Sequence, residues 1–336
     1  MNIAIVGATG NVGRKLIEVL EKKKFPITEL FLVASSKSEG KKISFSGKEH
    51  TVIDLEKFDF SKVKVAFFAA GSAIAEKWAH VAAEKTIVID NSKFFRKDPD
   101  IPLIVPEVNS KELIHVKNKN IIANANCSVI PLVVALKPLH DLYNIKRIVV
   151  STYQSVSGAG KDPMDELLSQ TQEFLQNKKL ESKHFTKQIA FNAIPHIDSF
   201  LENGSTKEEQ KTNDEIKKIL DNKIKVSSTC VRIPVLVSHS ISTNVEFNKK
   251  HNLEEIKNVL STSPGCKVID EQKDGGYITP VEAENKFETF ISRIRNDESQ
   301  SNSINLWIVS DNLLKGAALN AVEIAEALIK KDFYGK

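Results

Sequence analysis

Short apolar runs alternate with helix-like segments through the first third of the chain. Residues 2–6 form a run rich in β-branched side chains that ends at Gly7, and apolar residues between 16 and 20 then recur at helical spacing. Further apolar runs predict strands at 30–34, 63–70, 86–90 and 121–125, with a helix at 73–84. Because these strands are almost continuously apolar and alternate with helices, they predict a parallel sheet covered on both faces.

The pattern changes after residue 145. Residues 226–247 alternate with period two and indicate long extended stretches. Three further strands are predicted at 145–153, 288–294 and 305–310. Helices are predicted at 165–175, 206–220 and 313–330. Thr206 and Glu209 have the spacing of a capping box. This half of the chain is therefore expected to form an α+β domain with a mixed or antiparallel sheet, and its last, amphipathic helix is a candidate to pack back on the first domain.

The first predicted strand leads into the glycine loop Gly7-Ala-Thr-Gly10-Asn-Val-Gly13, which opens a helix. Glycine lets the backbone approach a dinucleotide pyrophosphate, and the helix N-terminus adds N–H donors and a favourable dipole. A plain glycine-rich turn between strand and helix is the alternative interpretation. The position of the loop between a strand and a helix favours dinucleotide binding.

The end of the second predicted strand bears on which dinucleotide is bound. An NAD site usually has Asp or Glu there to bond the ribose hydroxyl. This chain has Ser35, Ser36, Lys37 and Ser38 instead. Hydroxyls and one cation suit the 2′-phosphate of NADP, although a solvated loop would have the same composition.

The stretch IIANANCSVIP, residues 121–131, places Cys127 among polar residues between a strand and a helix predicted at 128–142, with Pro131 in its first turn. A thiol at a helix N-terminus is expected to have a lowered pKa, which favours the nucleophilic thiolate. The alternative is a small buried hydrophobe. We favour the nucleophile for Cys127 and the buried hydrophobe for Cys230, and we expect Cys266 to lie in a loop.

A nucleophilic cysteine needs a base. His239, in the sequence VLVSHSIST, is one candidate, and His196, in NAIPHID, competes with it. Arg232 precedes His239 by seven residues in what the alternation predicts to be one extended segment, so both side chains are expected to point into one cleft.

Composition narrows the class of protein. The chain has 336 residues and a net charge of +4, which suits about two domains and is too small and dispersed to argue for nucleic acid. It contains no apolar run of about 18 residues, so no membrane span is expected. The N-terminus lacks the features of a signal peptide. The three cysteines form no metal spacing and no disulfide framework, so we expect no metal site and a cytoplasmic protein.

These motifs together resemble the aspartate-semialdehyde dehydrogenase family over nearly the whole chain. The resemblance rests on GATGNVG, FRKDPDIPLIVPEVN, NANCS, STYQSVSGAG, NAIPHIDSFLENGSTKEEQK, TCVRIPVLVSHS and DNLLKGAALNA, in that order. It implies a Rossmann-type parallel-sheet domain at 1–126, completed by a C-terminal helix at 312–336. It also implies a catalytic and dimerisation domain at 127–311, and a homodimer.

The resemblance also implies roles for individual residues. Cys127 would form a covalent thiohemiacetal and then an acyl-thioester, His239 would be the general acid and base, and Gln154 would orient the substrate. Arg232 would hold the substrate carboxylate, Glu208 its amino group, and Arg96 and Lys211 the phosphate. The full set of implied substrate-binding residues is Arg96, Asn126, Glu208, Lys211 and Arg232. The implied NADP-binding residues are Gly7, Thr9, Gly10, Asn11, Val12, Gly13, Ser35, Lys37, Ser38, Ser157, Gly158 and Asn312.

Two positions depart from the family pattern. Ala125 replaces the usual Pro before the Cys motif, and Ile241 replaces the usual Glu after His-Ser. The implied reaction is the NADPH-dependent conversion of L-aspartyl-4-phosphate to L-aspartate-4-semialdehyde in lysine, threonine and methionine biosynthesis. Another acyl-phosphate reductase of the same fold, of the N-acetyl-glutamyl-phosphate type, is the nearest alternative. A catalytically dead nucleotide-binding relative is a second alternative, but Cys127 and His239 are both present.

Overall fold

The computed structural model describes residues 1–331 and 333 of the chain. It forms two compact units. The first comprises Met1–Asn126 and the described part of the segment that begins at Ala317, and the second comprises Cys127–Gly316. Positions 332 and 334–336 of the helix predicted at 312–336 lie outside the described residues.

The first unit contains an eight-stranded sheet. Its strands, in chain order β1 to β8, are Asn2–Val6, Glu29–Ala34, Lys42–Phe45, Lys48–Asp54, Val65–Phe68, Ile87–Asp90, Leu103–Ile104 and Ile121–Asn124. They are arranged in the order β3-β4-β2-β1-β5-β6-β8-β7, and every pair is parallel except β3–β4. The helices of this stretch are α1 at Asn11–Lys22, α2 at Ser72–Ala83 and α3 at Pro106–Asn109. The predicted parallel sheet is confirmed.

The burial of β1 agrees with its position at the centre of that sheet. Ile3, Ala4 and Ile5 of β1 are fully buried, as expected for a strand covered on both faces. The β3–β4 hairpin at the sheet edge was not predicted, because its residues are largely exposed and its pattern is mainly polar.

The second unit contains a six-stranded mixed sheet. Its strands, β9 to β14, are Ile145–Gln154, Lys225–Arg232, His239–Phe247, Cys266–Val268, Thr289–Asn296 and Ser303–Ser310. They are arranged in the order β10-β9-β11-β14-β13-β12; β10–β9 and β12–β13 are parallel, and the other pairs are antiparallel. The helices are α4 at Val129–Tyr143, α5 at Lys161–Leu175, α6 at Lys207–Ile219, α7 at Leu253–Thr262 and α8 at Pro280–Ala283. The predicted α+β class with a mixed sheet is confirmed.

Two predictions for the second half of the chain were wrong in detail. Residues 226–247 are not one extended segment: β10 ends at Arg232, β11 begins at His239, and the two strands lie on opposite sides of β9. The helix predicted from residue 313 begins with a π-helical turn at Leu314–Ala318, and the α-helix α9 covers only Leu319–Lys330. Within the first unit, α9 contacts α1 and β6.

Candidate active site

The candidate catalytic and binding residues of the second unit lie at one end of adjacent strands of its sheet. β9 and the parallel strand β10 end there, with Gln154 opposite Arg232 in the register. The antiparallel strand β11 begins there with His239, opposite Ser310 at the end of β14. Neighbouring strands therefore bring together residues that are far apart in sequence.

The thiol of Cys127 lies against the imidazole of His239, with Sγ 3.2 Å from Nε2. Cys127 is half-buried and precedes the first residue of α4, Val129, by two positions, so the N-terminus of a long helix faces it. Gly316 of the π-helical turn packs behind it, since a Cβ at that position would lie 3.0 Å from both Cβ and the carbonyl oxygen of Cys127. The sequence prediction that pairs Cys127 with His239 agrees with this geometry.

His239 is fully buried, and Ser155 contacts its other ring nitrogen. The backbone N–H of Ser155 donates to Nδ1 at 3.0 Å, and the hydroxyl of Ser155 lies 3.0 Å from the same atom. Burial and, after it, the charge of Arg232 lower the pKa of His239 to about 3. The ring is therefore held neutral at physiological pH.

Arg232 is also buried, and its Nη1 donates to the carbonyl oxygen of Ser155 at 2.6 Å. Burial lowers the pKa of this guanidinium, while the neighbouring Cys127 and Glu208 oppose that shift. A Cβ on Gly158 would lie 3.2 Å from Arg232 Nη1 and from His239 Nε2, so the backbone of that loop lies directly against both side chains. The structure thus gathers a cation, a thiol and an imidazole in one place.

Helix α6 supplies a second polar group. Glu208 accepts a long hydrogen bond from Gln154 Nε2 at 3.4 Å and pairs with Lys211 Nζ at 2.6 Å. Lys211 also pairs with Asp198 at 3.1 Å. Burial disfavours the charge on Lys211, but these two carboxylates together raise its pKa. The predicted capping box is confirmed, because Thr206 Oγ1 accepts from Glu209 N and the Glu209 carboxylate accepts from Thr206 N.

A network of neutral polar groups lies behind His239. Asn312 Oδ1 accepts from the backbone N–H of Ser238 at 2.9 Å, and Asn312 Nδ2 donates to Ser157 Oγ at 3.0 Å. The hydroxyls of Ser157 and Ser155 are 3.1 Å apart. Sequence reasoning selected Ser157 and Asn312 but missed Ser155, although Ser155 directly follows Gln154 in the STYQSVSGAG block.

The remaining candidates differ in character. Cys230 is completely buried, and burial raises the pKa of its thiol to about 12, so the prediction of a buried hydrophobe is confirmed. Cys266 was expected in a loop, but it is the first residue of β12 and its Sγ lies 3.7 Å from the carbonyl oxygen of Val134.

His196 stacks on Phe200, with ring centroids 4.3 Å apart. Ile241 is buried and pairs with Thr152 and Ile308 in the register.

In the first unit, the glycine loop joins β1 to α1. Gly7 has φ +88°, and a Cβ on Gly13 would lie 2.1 Å from the carbonyl oxygen of Gly7, so both positions require glycine. Gly10 is the N-cap of α1, with Asn11 as its first residue, while Thr9 and Val12 lie beside it in the loop and the first turn. This tight turn at a helix N-terminus fits a pyrophosphate.

The segment after β2 forms a short 3-10 turn at Ser36–Ser38. Ser35 and Lys37 are exposed, whereas Ser38 is mostly buried. Glu39, the first acidic residue after the strand, is bonded through both carboxylate oxygens to Lys57 Nζ at 2.9 and 2.7 Å. One cation, Lys37, and the exposed serines beside it therefore lie where an NAD site would have its acidic residue.

Two predicted substrate residues also belong to the first unit. Arg96 Nη2 donates to the carbonyl oxygen of Asn91 at 3.1 Å, and Asn126 is buried. Ala125, where the family usually has Pro, is buried as well. Within residues 1–331 and 333, no three His, Cys, Asp or Glu side chains gather as a metal site would require, and no helix there has the length and hydropathy to cross a membrane.

A glycine loop that opens a helix, together with a thiol–imidazole pair in the second unit, is typical of a nicotinamide-dependent dehydrogenase. Two family models match the chain: "Semialdehyde dehydrogenase, NAD binding domain" over residues 2–116 and "Semialdehyde dehydrogenase, dimerisation domain" over residues 136–315. The chain belongs to the aspartate-semialdehyde dehydrogenase family and is an oxidoreductase with a domain for a nicotinamide cofactor.

Individual relatives are similar along almost their whole length. An aspartate-semialdehyde dehydrogenase of Aquifex aeolicus is 50% identical over 333 residues, which cover 98% of each chain. The protein of the same name from Rickettsia bellii is 49% identical over 330 residues, again 98% of each chain. The crystal structure of aspartate semialdehyde dehydrogenase II from Vibrio cholerae matches with a TM-score of 0.96 and 48% identity over 98% of each chain, and so does its complex with ASA.

Proposed function

We propose that this protein reduces L-aspartyl-4-phosphate to L-aspartate-4-semialdehyde with NADPH and releases phosphate, as a step in lysine, threonine and methionine biosynthesis. The observation that carries the proposal is the thiol of Cys127 at the start of α4, 3.2 Å from His239 Nε2. The family membership and the Vibrio cholerae complex with ASA support the same substrate class.

The thiolate of Cys127 attacks the acyl carbon, the bond to the phosphate oxygen breaks, and an acyl-thioester remains on the protein. A thioester accepts hydride far better than a carboxylate does, and this is why a covalent intermediate helps the reaction. The nicotinamide cofactor supplies that hydride when it is bound. The thiohemiacetal oxyanion then collapses, the thiolate leaves, and the aldehyde is released.

Each charged or polar residue of the site is assigned to a different group of the substrate. Arg232 binds the substrate carboxylate through its planar fork, and Gln154 orients the reacting group. Glu208 faces the amino group. These assignments suit a substrate that carries both signs of charge, because Arg232 and Glu208 are both buried and interact electrostatically with each other.

Lys211 and Arg96 are proposed to bind the phosphate, and Asn126 to contact the substrate. Lys211 is paired with Glu208 and Asp198 in this structure, so an incoming phosphate would compete for its ammonium group. His239 is the proposed acid–base partner of the thiol, supported by the contact between Nε2 and Sγ.

The cofactor is proposed to be NADP. Lys37 and the serines beside it offer donors to a 2′-phosphate, and the pairing of Glu39 with Lys57 engages the nearest carboxylate. The proposed contacts of the cofactor are the glycine loop, this segment, and Ser157, Gly158 and Asn312. We also propose the domain division stated above and a homodimer, for which the match to a dimerisation domain is the support. A cytoplasmic location is proposed as well, because it suits three cysteines that form no disulfide.

The experiment is phosphate-dependent reduction of NADP with aspartate semialdehyde as substrate. The Cys127→Ala variant is expected to lose turnover and to keep NADPH binding, and Cys127→Ser to be severely impaired because a hydroxyl is a much weaker nucleophile at neutral pH. Cys266→Ala is the matched control and should retain activity. Substantial turnover in Cys127→Ala would rule out the covalent route.

A further inference from the structure

The two nitrogens of His239 are not equivalent, and a backbone group distinguishes them. The N–H of Ser155 points at Nδ1 with a donor–acceptor distance of 3.0 Å. A backbone N–H can only donate, so Nδ1 must present its lone pair to it. No side-chain rotation reverses this bond, because the donor belongs to the main chain directly after β9, which ends at Gln154.

The hydroxyls behind the ring can be arranged to point the same way. The N–H of Ser238 fixes Oδ1 of Asn312 as the acceptor, which leaves Nδ2 to donate to Ser157 Oγ. Ser157 can then donate to Ser155 Oγ, and Ser155 Oγ to His239 Nδ1. Ser155 Oγ also lies 3.1 Å from Asn312 Oδ1, but its backbone N–H donates to the ring in either arrangement.

We infer that His239 works as a neutral imidazole with its single proton on Nε2, and that it donates a hydrogen bond to the thiolate of Cys127 rather than acting as the base that deprotonates the thiol. This inference rests on the proposed function and revises one assignment within it: His239 becomes a hydrogen-bond donor to the thiolate instead of its acid–base partner. The nitrogen that faces Sγ already carries the proton of the neutral ring, so it has no lone pair for the thiol proton. The thiol proton must instead leave to solvent before the attack.

The charges that face the ring support a neutral state. Arg232 at the end of β10 lies beside it, Glu208 on α6 opposes the effect of Arg232, and Cys127 lies in front of Nε2. Burial is the largest influence on the pKa of His239, which falls to about 3, with Arg232 second; Glu208 and the backbone of Ser238 only partly compensate. An imidazolium beside the buried guanidinium of Arg232 is therefore unfavourable.

The same geometry gives the thiolate other sources of stabilisation. Arg232 interacts electrostatically with Cys127, and the N-terminus of α4 lies two residues further along the chain. In the reaction the thiolate forms its bond to the acyl carbon, the carbon–oxygen bond to phosphate breaks, and the electron pair leaves with phosphate. The proton that phosphate takes up comes from solvent, so no proton passes through His239.

The direct test is nitrogen NMR on the full-length protein with ¹⁵N-labelled histidine. The His239 signals are identified by their change when Cys127 is alkylated. At neutral pH we expect Nδ1 to be unprotonated and Nε2 to be protonated. Protonation of Nδ1, alone or together with Nε2, would overturn the inference. This measurement needs no turnover, so its failure is distinguishable from failure of the proposed function.

Kinetics of two substitutions provide an independent test. The amide of His239→Gln can place an N–H where Nε2–H lies but cannot act as a base, whereas His239→Ala has neither property. We expect His239→Gln to exceed His239→Ala in kcat by on the order of tenfold, the contribution of one hydrogen bond to a charged group, and to keep the acidic limb of its kcat/KM–pH profile. Equal loss in both variants, or disappearance of that limb in His239→Gln, would show that the imidazole is a base.

Discussion

At the scale of single residues, Arg232 contacts the protein backbone with one part of its guanidinium and is proposed to bind the substrate with the rest. Its Nη1 holds the carbonyl of Ser155, whose N–H in turn orients His239. The rest of its planar fork is proposed to bind the substrate carboxylate. A lysine would keep the charge but would present a point-like ammonium on a flexible stem.

The first prediction follows from that difference. Arg232→Lys is expected to lower kcat/KM by about tenfold to a hundredfold, the loss of one charge-assisted hydrogen bond of roughly 1.5–3 kcal/mol. Steady-state kinetics with aspartate semialdehyde measure it. Arg295→Lys, an exposed position on β13, is the matched control and should have no effect. An Arg232→Lys variant as active as the wild type would contradict the bidentate contact.

The burial of His239 predicts how stability depends on pH. Its folded pKa is about 3 against an ordinary value of 6.5, so between these values the unfolded chain binds a proton that the folded one does not. The part of the unfolding free energy that depends on a neutral His239 is therefore fully present above about pH 6.5, and it is lost as the pH is lowered toward 3. Urea unfolding should show the wild type losing about 2 kcal/mol more than His239→Gln between pH 6.5 and 5. Parallel losses in both proteins would contradict the buried neutral ring.

Single residues also show what the sequence can and cannot predict about the site. Cys127 stands out as a candidate nucleophile because its polar neighbours and the following helix differ from the surroundings of a buried cysteine. Ser155 was not identifiable, because its contribution is a backbone N–H whose direction depends on the pairing of β9 with its neighbours. No side-chain pattern encodes such a group.

At the scale of elements, helix α6 is positioned by its first turn. Thr206 and Glu209 exchange hydrogen bonds there, and Glu208, within the same turn, reaches Gln154 and Lys211. A capping box satisfies two N–H groups that would otherwise lack partners. The cap therefore contributes both to stability and to the position of a proposed substrate ligand.

The prediction at this scale separates the cap from packing. Thr206→Ala should lower the free energy of unfolding by about 1 kcal/mol more than Thr206→Ser, because Ser keeps the capping hydroxyl and Ala does not. Urea denaturation of the two variants measures the difference. Equal stability of the two would show that the hydroxyl contributes nothing to the helix start.

The elements that were predicted poorly have a common physical cause. The alternation of residues 226–247 correctly indicated strands, but it contains no signal for the chain reversal at 233–238 or for the parallel pairing of β10 with β9. Likewise, the helical pattern from residue 313 does not distinguish a π-helical turn from an α-helix. That turn follows Asp311, whose Oδ1 accepts from the N–H groups of Leu313 and Leu314. The strand pairing depends on residues distant in sequence and the π-helical turn on hydrogen bonds to Asp311, and the apolar pattern encodes neither.

At the scale of the whole molecule, cofactor choice is linked to the stability of the protein. A ligand that binds only the folded state raises the apparent stability in proportion to the logarithm of its concentration over its dissociation constant. A preference for NADP should therefore appear in the melting temperature as well as in kinetics. Two independent measurements on the intact enzyme thus report the same recognition of the 2′-phosphate.

The structure sharpens the argument for NADP at the end of β2. No carboxylate precedes Glu39 in this segment, and Lys57 binds both oxygens of Glu39, which keeps the acidic group engaged. Lys37 is exposed and can extend toward a phosphate, while Ser38 is mostly buried, so Lys37 is expected to contribute more than the hydroxyl. One or two charge-assisted hydrogen bonds, each of about 1.5–3 kcal/mol, would give a preference for NADP of about tenfold to several-hundredfold.

The last prediction concerns that preference in the wild type and in a double variant, Lys37→Ala with Ser38→Ala. The ratio of kcat/KM for NADP to that for NAD should exceed about tenfold in the wild type and fall toward one in the double variant, since the variant loses the donors proposed for the 2′-phosphate. The excess of the NADP-induced melting shift over the NAD-induced shift should fall in parallel. Lys42→Ala, which removes an exposed cation paired with Glu49 in the β3–β4 hairpin, is the matched control and should keep the ratio. Equal use of both cofactors by the wild type would refute the assignment, and a preference that survives in the double variant would place the 2′-phosphate site elsewhere.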